Sequence, residues 1–126
     1  MTSAFRDAVE ARDVQALRAV LHPDVVFHSP AVFKPYLGRD ATMTLLRAVI
    51  EVFDEFRYVG QTGGDDEQVL RFTARVGDRD VEGVDVIRYD ADGLVVDLTV
   101  LIRPLSALVA LAEAMQAKLA EQATPR

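Results

Sequence analysis

Gly83-Val84-Asp85-Val86-Ile87-Arg88-Tyr89, followed by Asp90-Ala91-Asp92-Gly93, reads as a strand running into a tight hairpin turn. Successive strand residues point to opposite faces. Val81, Gly83, Asp85, Ile87 and Tyr89 therefore share one face, and Glu82, Val84, Val86 and Arg88 share the other. Asp85 is the one ionised group among mostly uncharged neighbours on its face. An unpaired carboxylate in apolar surroundings costs several kcal/mol, enough to force protonation instead. Asp85 must therefore have a partner or act as a neutral donor, and the question becomes what encloses it.

Working outward, the neighbouring segments share its period of two. Leu70, Phe72, Ala74 and Val76 alternate with Arg71, Thr73 and Arg75, and Gly77-Asp78-Arg79-Asp80 makes a turn between this strand and the Asp85 strand. Phe56-Arg57-Tyr58-Val59-Gly60 is a further strand, ended by Gly63-Gly64-Asp65-Asp66, and Leu94 to Ile102 is the last. On that last strand Leu98, Val100 and Ile102 are expected to point in, and Val95, Thr99 and Leu101 out. Upstream, Asp24 to His28 is a short β-branched and aromatic strand ended by Ser29-Pro30, and residues 31–38 form a loop carrying Phe33, Lys34 and Tyr36.

The helical segments flank these strands. Residues 2–12 carry Phe5, Ala8 and Val9 on one stripe, with Thr2 or Ser3 as N-cap. Asp13 caps a second segment with Val14, Leu17, Val20 and Leu21, which Pro23 is expected to stop. Residues 39 to about 53 form the most helical stretch, with no interior Gly or Pro. After Pro104 comes a terminal helix with Leu105, Leu108, Val109, Ala112, Met115 and Leu119, fraying from Glu121 to Arg126. Segregated helices and an antiparallel meander predict an α+β fold over residues 1–126, one domain. A curved antiparallel sheet wrapped around the N-terminal helices would form a cone with a pocket, and the C-terminal helix could close it or pack outside.

Composition narrows the function. The 126 residues carry a formal net charge of −6, no basic run and no cysteine. This argues against nucleic-acid binding, which relies on Lys and Arg neutralising phosphates, and excludes disulfides and thiolate metal sites. No stretch approaches membrane-spanning length, and the N-terminus lacks the pattern of a secretory signal, so a cytoplasmic protein is expected. The composition, rich in Ala and with Arg far outnumbering Lys, suggests a bacterial source.

Several segments together carry a family resemblance: Val9-Glu10-Ala11-Arg12-Asp13, Leu21-His22-Pro23-Asp24-Val25-Val26-Phe27-His28-Ser29-Pro30, Gly38-Arg39-Asp40-Ala41 and Asp85-Val86-Ile87-Arg88-Tyr89-Asp90 with Gly93. Over almost its whole length the chain resembles the nuclear transport factor 2-like superfamily, in its SnoaL-like branch of steroid delta-isomerases, polyketide cyclases and limonene-epoxide hydrolases. The resemblance implies a cystatin-like cone open at one end and a homodimer built on the outer sheet face, where Val84, Val86 and Leu101 would lie. It does not imply one reaction, because the fold hosts many.

Steroid isomerases combine a carboxylate base with a Tyr and a protonated Asp that donate to the developing enolate. The resemblance places the protonated Asp on Asp85, the base on Ser29 and the Tyr on Phe5. Ser29 is far too weak a base near neutrality and Phe5 has no hydroxyl. The epoxide hydrolases place an Arg two residues before an Asp, where this chain has Gly83. His28 could serve as an acid or base if it faces the cavity, although alternation with Ser29 turns it away. His22 and His28 alone do not make a metal site, and no cofactor is implied.

The candidate catalytic residues are thus Asp85 and His28. The candidate ligand-binding residues are Phe5, Ser29, Phe33, Tyr36, Leu46, Phe72, Ile87, Leu98, Val100 and Ile102, each of which could equally be plain core. Asp85 could be a buried polar anchor, a ligand-orienting or proton-transfer group, or, in another register, solvated. Three functions follow: binding of a small hydrophobic molecule in an apolar pocket, catalysis on a polyketide- or steroid-like compound through Asp85 (an isomerase, cyclase or hydrolase), or a non-catalytic dimerisation module with a filled cavity.

Overall fold

The computed structural model describes residues 2–123. The elements are α1 (Ala4–Glu10), α2 (Val14–Val20), β1 (Leu21–His28), β2 (Tyr36–Leu37), α3 (Arg39–Val52), β3 (Asp54–Gly63), β4 (Glu67–Val76), β5 (Arg79–Tyr89), β6 (Val95–Arg103) and α4 (Leu105–Ala123). Glu121 to Ala123, where fraying is expected, are helical as the end of α4; residues 124–126 lie outside the described residues. No helix among the described residues is long and apolar enough to cross a membrane.

The six strands form one sheet in the order β2-β1-β6-β5-β4-β3. Strands β3 to β6 are the antiparallel meander, and β1 adds to it in parallel with β6. Pro23 does not end the α2 segment before the strand, as its position suggests. It lies inside β1, within an irregularity between Leu21↔Val95 and Val26↔Asp97. A residue with no N–H is tolerated in a strand where the ladder is already interrupted. His22 is a strand residue, and its Nδ1 accepts the Asp24 N–H at 2.9 Å.

Helix starts follow their caps. Ser3 Oγ accepts the Arg6 N–H at 3.1 Å, and Asp13 Oδ1 accepts the Ala16 N–H at 3.0 Å, satisfying donors that a helix leaves free in its first turn. The helices lie on the inner face of the sheet. Phe5, Leu17, Met43 and Leu46 from them pack with Leu70, Phe72, Ile87 and Leu98 from the strands in one buried cluster. The N-terminal segment closes one end of the cone: Gln68 Nε2 donates to Thr2 O at 2.8 Å, and Ser3 Oγ lies 3.1 Å from Tyr89 Oη.

One strand expectation changes. Val95 is fully buried rather than outward-facing. The β5–β6 register shifts between Arg88↔Asp97 and Tyr89↔Val95, so the extra residue reverses the phase. Leu101, beyond the irregularity, faces out and is 56% exposed. On α4, Leu105 and Val109 also face solvent, while Ala107 and Leu111 are buried.

Candidate functional site

The inner sheet face is built in rows across paired strands. Tyr58, Phe72, Gly83 and Ile102 make one row; Gln61, Leu70, Asp85 and Val100 make the next. Gly83 is what allows the first row to close. A Cβ there would meet the Phe72 ring at 2.5 Å and Leu101 O at 2.6 Å. With no side chain at 83, the Phe72 ring lies over the strand and packs against Phe53, Phe56 and Tyr58, with ring centroids 5.0–6.4 Å apart. Aromatic rings at these separations favour tilted and edge-on pairs, which hold Tyr58 in place.

Tyr58 Oη then donates to Asp85 Oδ2 at 2.8 Å, a buried bond. Asp85 is 7% exposed, and Tyr58 is its one hydrogen-bond partner among the described residues. Burial raises the Asp85 carboxyl from 3.8 to about 7, while the Tyr58 hydrogen bond pulls it down. Burial, then the Asp85 charge, drives the Tyr58 hydroxyl well above its ordinary value of 10. Near neutrality the carboxyl is therefore divided between a form that accepts and a form that can donate.

This pair sits in the wall of a cavity of about 630 Å³. Leu45, Leu46 and Val49 of α3 form one side, and Leu98, Val100 and Ile102 of β6 another. The terminal helix does not pack outside: Leu108, Leu111, Met115 and Leu119 line the cavity. Lys118 Nζ ties α4 to α3 through Glu51 at 3.3 Å. Arg6 braces Tyr58 from behind, with its guanidinium 5.5 Å from the ring centroid, its Nη1 donating to Gln61 at 3.1 Å and its Nε paired with Glu10 at 3.2 Å.

Of the residues singled out from sequence, Phe5, Ser29, Tyr36, Leu46, Phe72, Asp85, Leu98, Val100 and Ile102 all line this cavity. Three do not. Phe33 is fully exposed, because the Val32 N–H donates to Ser29 Oγ at 3.2 Å and this turn directs the next side chain outward. Ile87 faces inward but lies deeper, beside Gln68 and Leu98 at the end sealed by the N-terminal segment, and is core. His28 is on the outer side, with Nε2 3.2 Å from Asp97 Oδ2, as strict alternation from Ser29 requires. Asp97 also lies 3.9 Å from Arg88, so His28 belongs to an outer-face charge cluster. Tyr58 was not singled out from sequence, nor was Glu10, which lines the cavity at its exposed edge. Among the described residues no group of three His, Asp or Glu is placed to hold a metal.

A cone of helices and a curved sheet, with an apolar interior and, among the described residues, one buried acid, defines the class. The chain belongs to the SnoaL-like domain family, whose model matches residues 2–98. It is similar to a steroid delta-isomerase from Pseudomonas aeruginosa, at 42% identity and TM-score 0.89 over 94% of this chain and 88% of that one. It is also similar to a bacterial protein with a cystatin-like fold from Silicibacter pomeroyi, at 36% identity and TM-score 0.87 over 91% and 82%. An NTF2-like protein from Burkholderia xenovorans shares the fold, at 20% identity and TM-score 0.66 over 79% and 77%. A search of the curated proteins found no match.

Proposed function

We propose that the protein binds a small, mainly apolar molecule in the cone and orients it through an oxygen function that meets Asp85. The observation that carries this reading is the Asp85 environment: a buried carboxyl with one protein partner, facing a 630 Å³ apolar cavity. A side chain serving only as a structural anchor would be expected to use more of its bonding capacity on the protein itself. The reading is tested by calorimetric titration with 1,10-decanediol, a soluble apolar probe bearing hydroxyls. Binding that weakens at least several-fold in Asp85→Asn supports it, and no binding, or binding unaffected by the substitution, contradicts it.

Proton transfer by the same residue is a second reading, favoured by the similarity to the steroid delta-isomerase and by the carboxyl value of about 7. A group titrating near the working pH can give and take protons efficiently. The missing partner is a base: the family resemblance assigns that role to Ser29, which lines the cavity and has no carboxylate. Ser29→Asp should therefore create or raise isomerisation of a β,γ-unsaturated ketosteroid, and activity already maximal in the unmodified protein would show that another residue is the base.

For assembly, we propose a homodimer through the outer sheet face. Leu101 is exposed there, with Val84, Val86 and Thr99 around it. An apolar strip on a sheet face that no helix covers suits a two-fold, self-complementary contact. Light scattering should give twice the chain mass, falling to one in Leu101→Glu.

A further inference from the structure

Two basic residues, Arg12 and Arg57, line the cavity, and both are exposed. Eight of the other basic side chains pair with carboxylates: Arg6, Arg18, Arg75, Arg79, Arg88, Arg103, Lys118 and, on the outer face, His28. Arg12 and Arg57 have no carboxylate partner among the described residues; neither do Lys34, Arg39, Arg47 and Arg71, but of these six Arg12 and Arg57 alone line the cavity. Glu10 lines the cavity too, but its carboxylate is already held by Arg6 at 3.2 Å.

Arg12 is also costly where it stands. It occupies the position just past the α1 C-cap, with its N–H donating to Val9 O and the Asp13 N–H to Ala8 O, both at 3.0 Å. This arrangement calls for a left-handed residue, and glycine is the usual choice. Arg12 adopts it with φ 54°. Its Nη2 donates to Ile50 O, a last-turn carbonyl of α3, at 3.0 Å, which fixes the guanidinium at the cavity edge with its other donors open. A strained residue with a positioned, unpaired charge beside a pocket is better explained by a ligand than by the fold.

We infer that the cavity takes an amphipathic acid: an apolar body inside the cone and a carboxylate at its mouth, held by Arg12 and Arg57. This rests on the proposed binding function and names its ligand class. Guanidinium forks match carboxylates with paired, charge-assisted hydrogen bonds. The acid would enter with the end opposite its carboxylate first, bringing its neutral oxygen function to Asp85 while the anion stays at the wet edge.

The test compares two probes differing only in the carboxylate, 10-hydroxydecanoate and 1,10-decanediol, titrated calorimetrically into the full chain at pH 7. The acid should bind about tenfold more tightly than the diol. In Arg12→Gly/Arg57→Gln that preference should fall to near one. Arg12→Gly places the favoured residue at the left-handed position, so the variant should melt at or above the unmodified protein, and Arg57→Gln alone should lose part of the preference. Equal binding of the two probes, or a preference that survives the double substitution, overturns the inference while leaving the pocket reading in place. Failure of both probes to bind overturns the inference and the pocket reading together.

Discussion

Tyr58 Oη donates to Asp85 Oδ2 at 2.8 Å, and through this bond strand β3 sets the state of a carboxyl on β5. The hydrogen bond is the one influence that lowers the Asp85 value against the effect of burial. Tyr58→Phe should therefore push the carboxyl above about 7. It should also cost about 1–3 kcal/mol of stability, because it leaves a buried acceptor unmatched. Carbon-detected NMR of the Asp carboxyls checks the first outcome and urea unfolding the second. A value unchanged by the substitution would mean that the two side chains are not bonded in solution.

Stability should depend on pH through the same residue. A carboxyl raised in the folded state binds its proton more tightly there than in the unfolded chain. Its contribution is complete below the unfolded value of 3.8 and is lost as pH rises through about 7. The full difference corresponds to on the order of 4 kcal/mol. Denaturant unfolding from pH 4 to 8 should show this decline, and Asp85→Asn, which keeps an acceptor for Tyr58, should flatten it. An Asp85→Asn profile parallel to that of the unmodified protein would assign the slope to other groups.

Gly83 should resist enlargement. In Gly83→Ala the added methyl meets both the Phe72 ring and the Leu101 carbonyl inside 3.0 Å. Overpacking of this kind costs about 1–3 kcal/mol, and the displaced Phe72 should disturb Tyr58 beside it. Adding Phe72→Leu should recover part of the loss, since the ring clash is relieved and the backbone clash is not. Equal stability of Gly83→Ala and the parent would show that the sheet yields there easily.

His28 provides the contrasting case. It lies with Asp97 on the outer face, away from the cavity. His28→Gln should leave probe binding in the cavity unchanged, and a several-fold loss would place His28 in the site after all.

How much of this could be read from residues alone depended on how regular each strand is. Strands β4 and β5 pair without interruption from Glu67↔Arg88 to Val76↔Arg79, so simple alternation puts Asp85 on the inner face. Strand β3 has register shifts before Arg57 and after Tyr58, and Glu55 adopts φ 53°. Alternation cannot be carried through such points, and Tyr58 therefore gave no clear signal. The same cause hid Val95, whose phase is reversed by one extra residue in β6. Phe33 failed for another reason: its loop has no regular alternation, and it sends Tyr36 into the cavity lining but Phe33 into solvent. The parallel β1–β6 pairing joins segments about seventy residues apart, and no local pattern encodes it. A hint toward Tyr58 was available in Gly83, since a glycine in the middle of a strand marks a close approach by something large.

Asp85 is a buried, cavity-facing carboxyl whose raised value of about 7 divides it between donor and acceptor near neutrality. The most direct test is the titration of its side-chain carbon by NMR, assigned by its loss in Asp85→Asn. A midpoint near 7, moving on addition of 1,10-decanediol, is the result expected. A midpoint near 4, indifferent to the probe, would mean that Asp85 is solvated and that the pocket has no such group to offer a ligand.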